Sequence, residues 1–251
     1  MAARHDAKTI TAMAVVASAA ATFLHEGVGH GLTAWLRGDI PTELTSNHLN
    51  AVRPDRLVSA GGTLVNLIVG CFAYLASRNT AGSNRRYFLW LFSAFNLLAG
   101  AGYFLFSGVL GLGDWNDVIA AIPAQSVLRI GMAVFGAALY FAVVRLLAVG
   151  VRPFCPARGQ YNVVGRLPYI VACLFSCIAG SLDPMGLRLF FLSTVPAAFG
   201  GSSGLIWADC LMPRHASVSQ LVERSPLWWI AALVLGIAYI AILGRGVRFV
   251  H

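Results

Sequence analysis

Charge is what this chain has least of. Only 11% of its 251 residues are Asp, Glu, Lys or Arg, against about 25% in an ordinary soluble domain. There is a single Lys, Lys8, beside seventeen Arg. The scarcity runs the whole length, which excludes a soluble body held by one anchor. The five cysteines, Cys71, Cys155, Cys173, Cys177 and Cys210, contain no C-x-x-C pair. That argues against a thiolate metal site and a disulfide framework. Cys173 and Cys177 share a helix face and read as small buried hydrophobes. No repeat of fixed period and no low-complexity tract is visible. The surplus of +8 falls at the ends of apolar segments, at Arg78, Arg85, Arg86, Arg152, Arg158, Arg166, Arg245 and Arg248. That is the pattern of interface anchors, and nucleic acid is not an expected partner.

What the chain has instead is hydropathy, with 58% hydrophobic residues. Apolar segments recur at 9–36, 57–77, 87–112, 126–149, 167–182, 187–211 and 226–244. Each meets or approaches the roughly 20 residues needed to cross a bilayer. The expected fold is an all-α polytopic membrane protein, a bundle of six to seven transmembrane helices forming one domain over 1–251. Segment 167–182 is short, and 187–211 is interrupted by Pro196 and the Gly-Ser run at 200–204. The longest polar connection is 37–56. Gly38 can end the first helix there, and the Thr/Leu/Val mixture that follows predicts a short strand or hairpin at the membrane surface. Arg4 and Lys8 before the run Ile10–Leu24 have the look of a signal peptide. The apolar pattern continues through Leu32, Trp35 and Leu36, so the segment is expected to stay as an uncleaved first helix. With seven spans the basic residues favour a cytoplasmic N-terminus, in the plasma or inner membrane of a prokaryote.

Within that first span stands His25-Glu26-Gly27-Val28-Gly29-His30. Ionisable groups are costly in hydrocarbon and mark functional sites. The trio is one residue wider than H-E-x-x-H, where two His hold zinc and the Glu is the general base. In a regular helix five steps of about 100° leave the rings roughly 140° apart, too divergent for one metal. An i→i+5 bulge changes this, and Gly27 and Gly29 would tolerate it. A bulged or broken helix between His25 and His30 is therefore expected. Two other readings stand: a buried Glu26–His30 pair with no metal, or Glu26 and His30 themselves as ligands. A third ligand is sought in Gly113-Asp114-Trp115-Asn116-Asp117. Asp114 there reads equally as the N-cap of a helix through 115–122.

Three features in this order, His25 to His30, then Gly61-Gly62-Thr63-Leu64-Val65-Asn66, then Gly113-Asp114, resemble the site-2 protease family, the intramembrane zinc metalloproteases. That family carries H-E-x-x-H in one span, a G-x-x-x-N-type element in the next, and an Asp ligand in a later L-D-G-type motif. Flanking text agrees, with Phe23-Leu24 before the cluster and Gly31 to Gly38 after it. The likeness covers about residues 15–120. It implies a metal-binding core over 1–125, with 126–251 as additional helices of unassigned role. It implies one zinc ion on His25, His30 and Asp114, and Glu26 as the catalytic base. Asn66 and Asp117 become substrate-channel or supporting residues, although Gly61, Gly62 and Asn66 also read as a close helix crossing with one hydrogen bond. The chain departs from the family in its His spacing. It also lacks the Asn-Pro-rich lead-in to the Asp and any PDZ-like insertion.

Three functions follow. The first is hydrolysis of a peptide bond in or near the membrane, on a transmembrane peptide or membrane protein. The second is a non-proteolytic metal-binding relative acting as a structural or partner-binding subunit. The third is an ion or proton transporter. Membrane lipid is the common surrounding in all three. Elsewhere, Asp183 and Asp209 read as interfacial caps or partners of Arg188 and Arg214, and His48 and His215 as solvent-facing loop residues.

Overall fold

The computed structural model describes residues 4–156, 159–213 and 219–249. Seven helices among them are long and apolar enough to cross a membrane. They are α1 Ala7–Leu36, α2 Arg56–Asn79, α3 Ser83–Leu110, then, after the short α4 Asp114–Ile119, α5 Gln125–Phe154, α6 Asn162–Gly180, α7 Gly186–Leu211 and α8 Pro226–Gly244. The chain is thus an α-helical, multi-pass membrane protein with seven spans. The short segment around 167–182 starts earlier than its hydropathy, at Asn162. The broken segment 187–211 still forms a helix long and apolar enough to cross.

Seven crossings make the loops alternate between two ends, and the loop contacts agree. At one end Asp6 N–H donates to Val222 O (2.9 Å), Gln220 N–H to Pro153 O (2.8 Å), and Asn84 pairs with Glu223. At the other end the 37–55 connection meets the α6–α7 turn and the C-terminal segment. There β1 Pro41–Leu44 and β2 Leu49–Ala51 form the expected hairpin. An unexpected strand, β3 Val247–Arg248, pairs antiparallel with β1, giving the order β2-β1-β3.

Small residues let the helices approach. The inward face of α1 carries Ala14, Ala17 and Ala21, buried against α3, α6 and α8. An aromatic cluster in the first turns of α3 packs inside the bundle, where Tyr87 and Trp90 are fully buried. Each polar tip has a partner: Tyr87 Oη–H donates to Val164 O at 2.8 Å and Trp90 Nε1–H to Leu147 O at 3.0 Å. The outer face of α8, with Leu227, Ile230, Leu233 and Ile237, is exposed and apolar, as a lipid-facing surface must be.

The Gly-Ser run is a helix break, not a turn out of the bundle. The Tyr140 hydroxyl from α5 sits in the break, donating toward Gly201 O (3.0 Å) and accepting from Gly204 N–H (2.8 Å). Cys173 is buried and its Sγ–H donates to Ala198 O at 3.1 Å. The acidic residues differ from expectation. Asp209 pairs with Arg166 at 2.7 Å; Arg214, its expected partner, lies outside the described residues, as do Arg158 and His215. Asp183 does cap Met185 N–H, but its other partner is Asn47 Nδ2–H at 3.0 Å, not Arg188. His48 is not solvent-facing. It lies half-buried between Glu43 (3.7 Å) and Asp183 (3.5 Å), joining the hairpin to the α6–α7 turn.

Candidate metal centre

The wide motif is accommodated by a π-helical segment. Leu24–Leu32 of α1 is π-helical over nine residues, with N–H groups bonding five residues back, so that residues five apart share a face. The alternating glycines permit this and serve a second purpose. Gly29 lies backbone to backbone against Gly61 and Gly62 of α2. A β-carbon on Gly62 would stand 2.6 Å from the ring nitrogens Nε2 of both His25 and His30. The Gly-Gly pair therefore marks a helix crossing laid directly under the two imidazoles.

His25 Nε2 and His30 Nε2 are 3.2 Å apart, with the rings at 86°. Asp114 Oδ2 lies 3.1 Å from the first and 3.4 Å from the second. Two glycines bring it there. Gly111, at φ +67, closes α3 by donating to Ser107 O, and Gly113, at φ +80, turns the chain back. Both conformations are strained for any other residue. Asp114 is then the first residue of α4, with Gly113 as the N-cap, so the capping role read from sequence belongs to the preceding residue.

The hydrogen-bond network fixes the tautomers. His30 Nδ1–H donates to Val58 O at 2.7 Å, and a carbonyl only accepts. Asn96 Nδ2–H donates to Phe92 O (2.8 Å), so its Oδ1 accepts from Asn66 Nδ2–H (2.7 Å). Asn66 Oδ1 therefore faces His25 and accepts from Nδ1–H at 2.6 Å. In neutral imidazoles both Nε2 atoms are then bare lone pairs. Asp114 Oδ2 is buried and has no hydrogen-bond donor among the described residues.

Three electron-rich atoms at 3.1–3.4 Å repel one another unless a cation lies among them. Donors around a tetrahedral zinc, with bonds of roughly 2.0–2.1 Å, stand about 3.3–3.4 Å apart. The triangle fits. Both imidazoles also have their other ring nitrogen anchored, the usual support of a metal-binding imidazole.

Glu26 is buried beside the pair, with His25, Glu26 and His30 offering ligand atoms within 4.8 Å of one another. These three can hold a metal ion. Asp117 does not join them. It is exposed on α4, and its carboxyl is raised first by partial burial and then by the Asp114 charge.

Tyr103 of α3 was not singled out in the sequence. Its ring stacks on His25, with centroids 4.6 Å apart and planes at 18°. Asn96, which orients Asn66, was missed as well, although a buried amide in the middle of an apolar span is a readable signal. No protein-family model, curated protein or solved structure matches this chain.

Proposed function

We propose that this chain is an intramembrane zinc metalloprotease of the site-2 type, cleaving a peptide bond of a transmembrane peptide or membrane protein in or near the bilayer. The observation that carries the reading is the buried triangle of two bare imidazole nitrogens and one carboxylate oxygen, with a further carboxylate, Glu26, alongside. His25, His30 and Asp114 would hold one zinc ion. Zinc bound there supplies Lewis acidity, polarising a carbonyl and lowering the pKa of a coordinated water. Glu26 takes the proton from the attacking water and delivers it to the leaving amide nitrogen as the C–N bond breaks. Asn66 and Val58 hold the two rings in the ligating tautomer, and Asp114 contributes the anionic donor. Spacing alone argued for a non-catalytic relative. A π segment removes that objection, which supports the enzymatic reading. The basic residues at the end of the bundle bearing Lys8, Arg85, Arg86, Arg152 and Arg166 support a cytoplasmic N-terminus.

The test uses purified full-length protein in detergent. Metal analysis is expected to find about one zinc per chain, lost in His25→Ala, His30→Ala and Asp114→Ala. Glu26→Gln is expected to keep its zinc and lose cleavage of a panel of single-span peptides. Equal cleavage by Glu26→Gln removes Glu26 as the base. Wild type that holds zinc, cleaves nothing in the panel and carries ion flux in liposomes replaces the protease with a transporter.

A further inference from the structure

The chain contains seven tyrosines, and five of them have a recorded hydroxyl hydrogen bond. Tyr74 donates to Leu146 O, Tyr87 to Val164 O, Tyr161 to Leu205 O and Tyr169 to Phe199 O. Tyr140 is held in the α7 break. Tyr103 stands apart from these five. It lies within a membrane span, only partly exposed, and its hydroxyl has no protein partner among the described residues. A phenol in such surroundings normally finds an acceptor, because leaving the group unpaired is costly. Its oxygen is not among the sealed, unpartnered polar atoms of the described residues, so it borders accessible space.

The setting says what that space is for. The Tyr103 ring lies flat on His25, the imidazole whose Nε2 stands 3.1 Å from Asp114 Oδ2. The stack fixes the ring, and the hydroxyl stays beside the centre without being consumed by it. The other side chains at the centre, Glu26, Asp114 and the two bare Nε2 atoms, are acceptors. Tyr103 is a side-chain donor beside them whose oxygen is not sealed off, whereas Thr63 Oγ1, Ser107 Oγ and Trp115 Nε1, the unpartnered donors on flanking residues, are fully enclosed.

We infer that the Tyr103 hydroxyl is the hydrogen-bond donor that receives the peptide carbonyl oxygen of the substrate. This rests on the metalloprotease reading above and names the residue that would stabilise the oxygen as it gains negative charge. The polarity matches: the substrate oxygen accepts, and Tyr103 Oη–H donates.

The test compares zinc-loaded, full-length wild type with Tyr103→Phe, which keeps the stacked ring and removes only the hydroxyl. Two probes that bind zinc are titrated. Acetohydroxamate carries a carbonyl oxygen able to accept from Tyr103; 2-mercaptoethanol offers a thiolate and no such carbonyl. Tyr103→Phe is expected to weaken acetohydroxamate roughly tenfold and leave the thiol affinity within about threefold. The ratio of the two affinities isolates the hydroxyl even where the variant loads less zinc. On a peptide that wild type cleaves, kcat is expected to fall about a hundredfold or more with KM little changed. An unchanged ratio overturns the assignment to Tyr103 and leaves the metal centre standing. Wild type that takes up no zinc overturns the metal centre and this assignment with it.

Discussion

At the scale of single residues, the centre depends on groups that never touch a substrate. Gly62 is the sharpest case, because any β-carbon there collides with both ring nitrogens. Gly62→Ala is expected to abolish zinc retention, read by metal analysis. Gly131→Ala, where a β-carbon meets nothing, is expected to keep it. Asn66→Ala leaves His25 Nδ1 without its acceptor and should lower zinc affinity about 10–100-fold. Asp55 acts one step further out. It caps α2 by accepting from Leu57 N–H and Val58 N–H, and Val58 is the residue whose carbonyl holds His30. Asp55→Ala should cost about 1 kcal/mol of stability. The Val58 N–H and then the Arg37 guanidinium hold the Asp55 carboxyl below its usual value, and Thr9 does the same for Asp6. A depressed carboxylate stabilises the fold above its unfolded value of about 3.9, and that contribution fades as pH falls through the folded value. Thermal melts in detergent are expected to drop between about pH 5 and about pH 3, less steeply in the double variant Asp6→Asn/Asp55→Asn.

At the scale of elements, the decisive one is the π segment of α1. Its i→i+5 geometry does for His-Glu-x-x-x-His what an α-helix does for the shorter motif. Deleting Val28 would give His-Glu-Gly-Gly-His, whose imidazoles share a face in a regular helix. That variant is expected to retain zinc, whereas Gly29→Ala, whose new carbon would strike the α2 backbone, is expected to lose it. Retention by both or loss by both would count against the bulge as the reason for the spacing. The hairpin is a second element with a definite attachment. Asp183 is buried and accepts from Asn47 Nδ2–H, while Thr194 Oγ1–H donates to Asn47 Oδ1. Asp183→Ala strands these groups and should cost about 1–3 kcal/mol. Limited proteolysis is expected to cut the 37–55 connection faster in that variant, with zinc content unchanged.

At the scale of the whole molecule, the bundle converts a chain of local patterns into one site. The seven spans, the hairpin after α1, the glycine end of that helix and the suspect cluster in its last turns were all legible, because hydropathy, turn chemistry and helix periodicity act over a few residues. Even the bulge could be deduced from two imidazoles set five apart. Legibility stopped where partners are far apart in the chain. Nothing local chooses Asp114 over Asp117; the choice comes from two left-handed glycines and the way α4 folds back against α2, beside the two imidazoles. Nothing local links His25 to Asn66 and Asn96, 41 and then 30 residues apart in sequence. The strand at Val247–Arg248 was invisible for the same reason, since two residues make no pattern until β1 supplies the opposite edge. Composition fixed the solvent, bounded the crossings at six to seven and marked the place where polar chemistry would be concentrated, because burial in lipid is a property of each segment alone. Helix packing selected the third donor, the tautomers and the unpaired tyrosine, because those are properties of distances between segments that only a closed bundle sets.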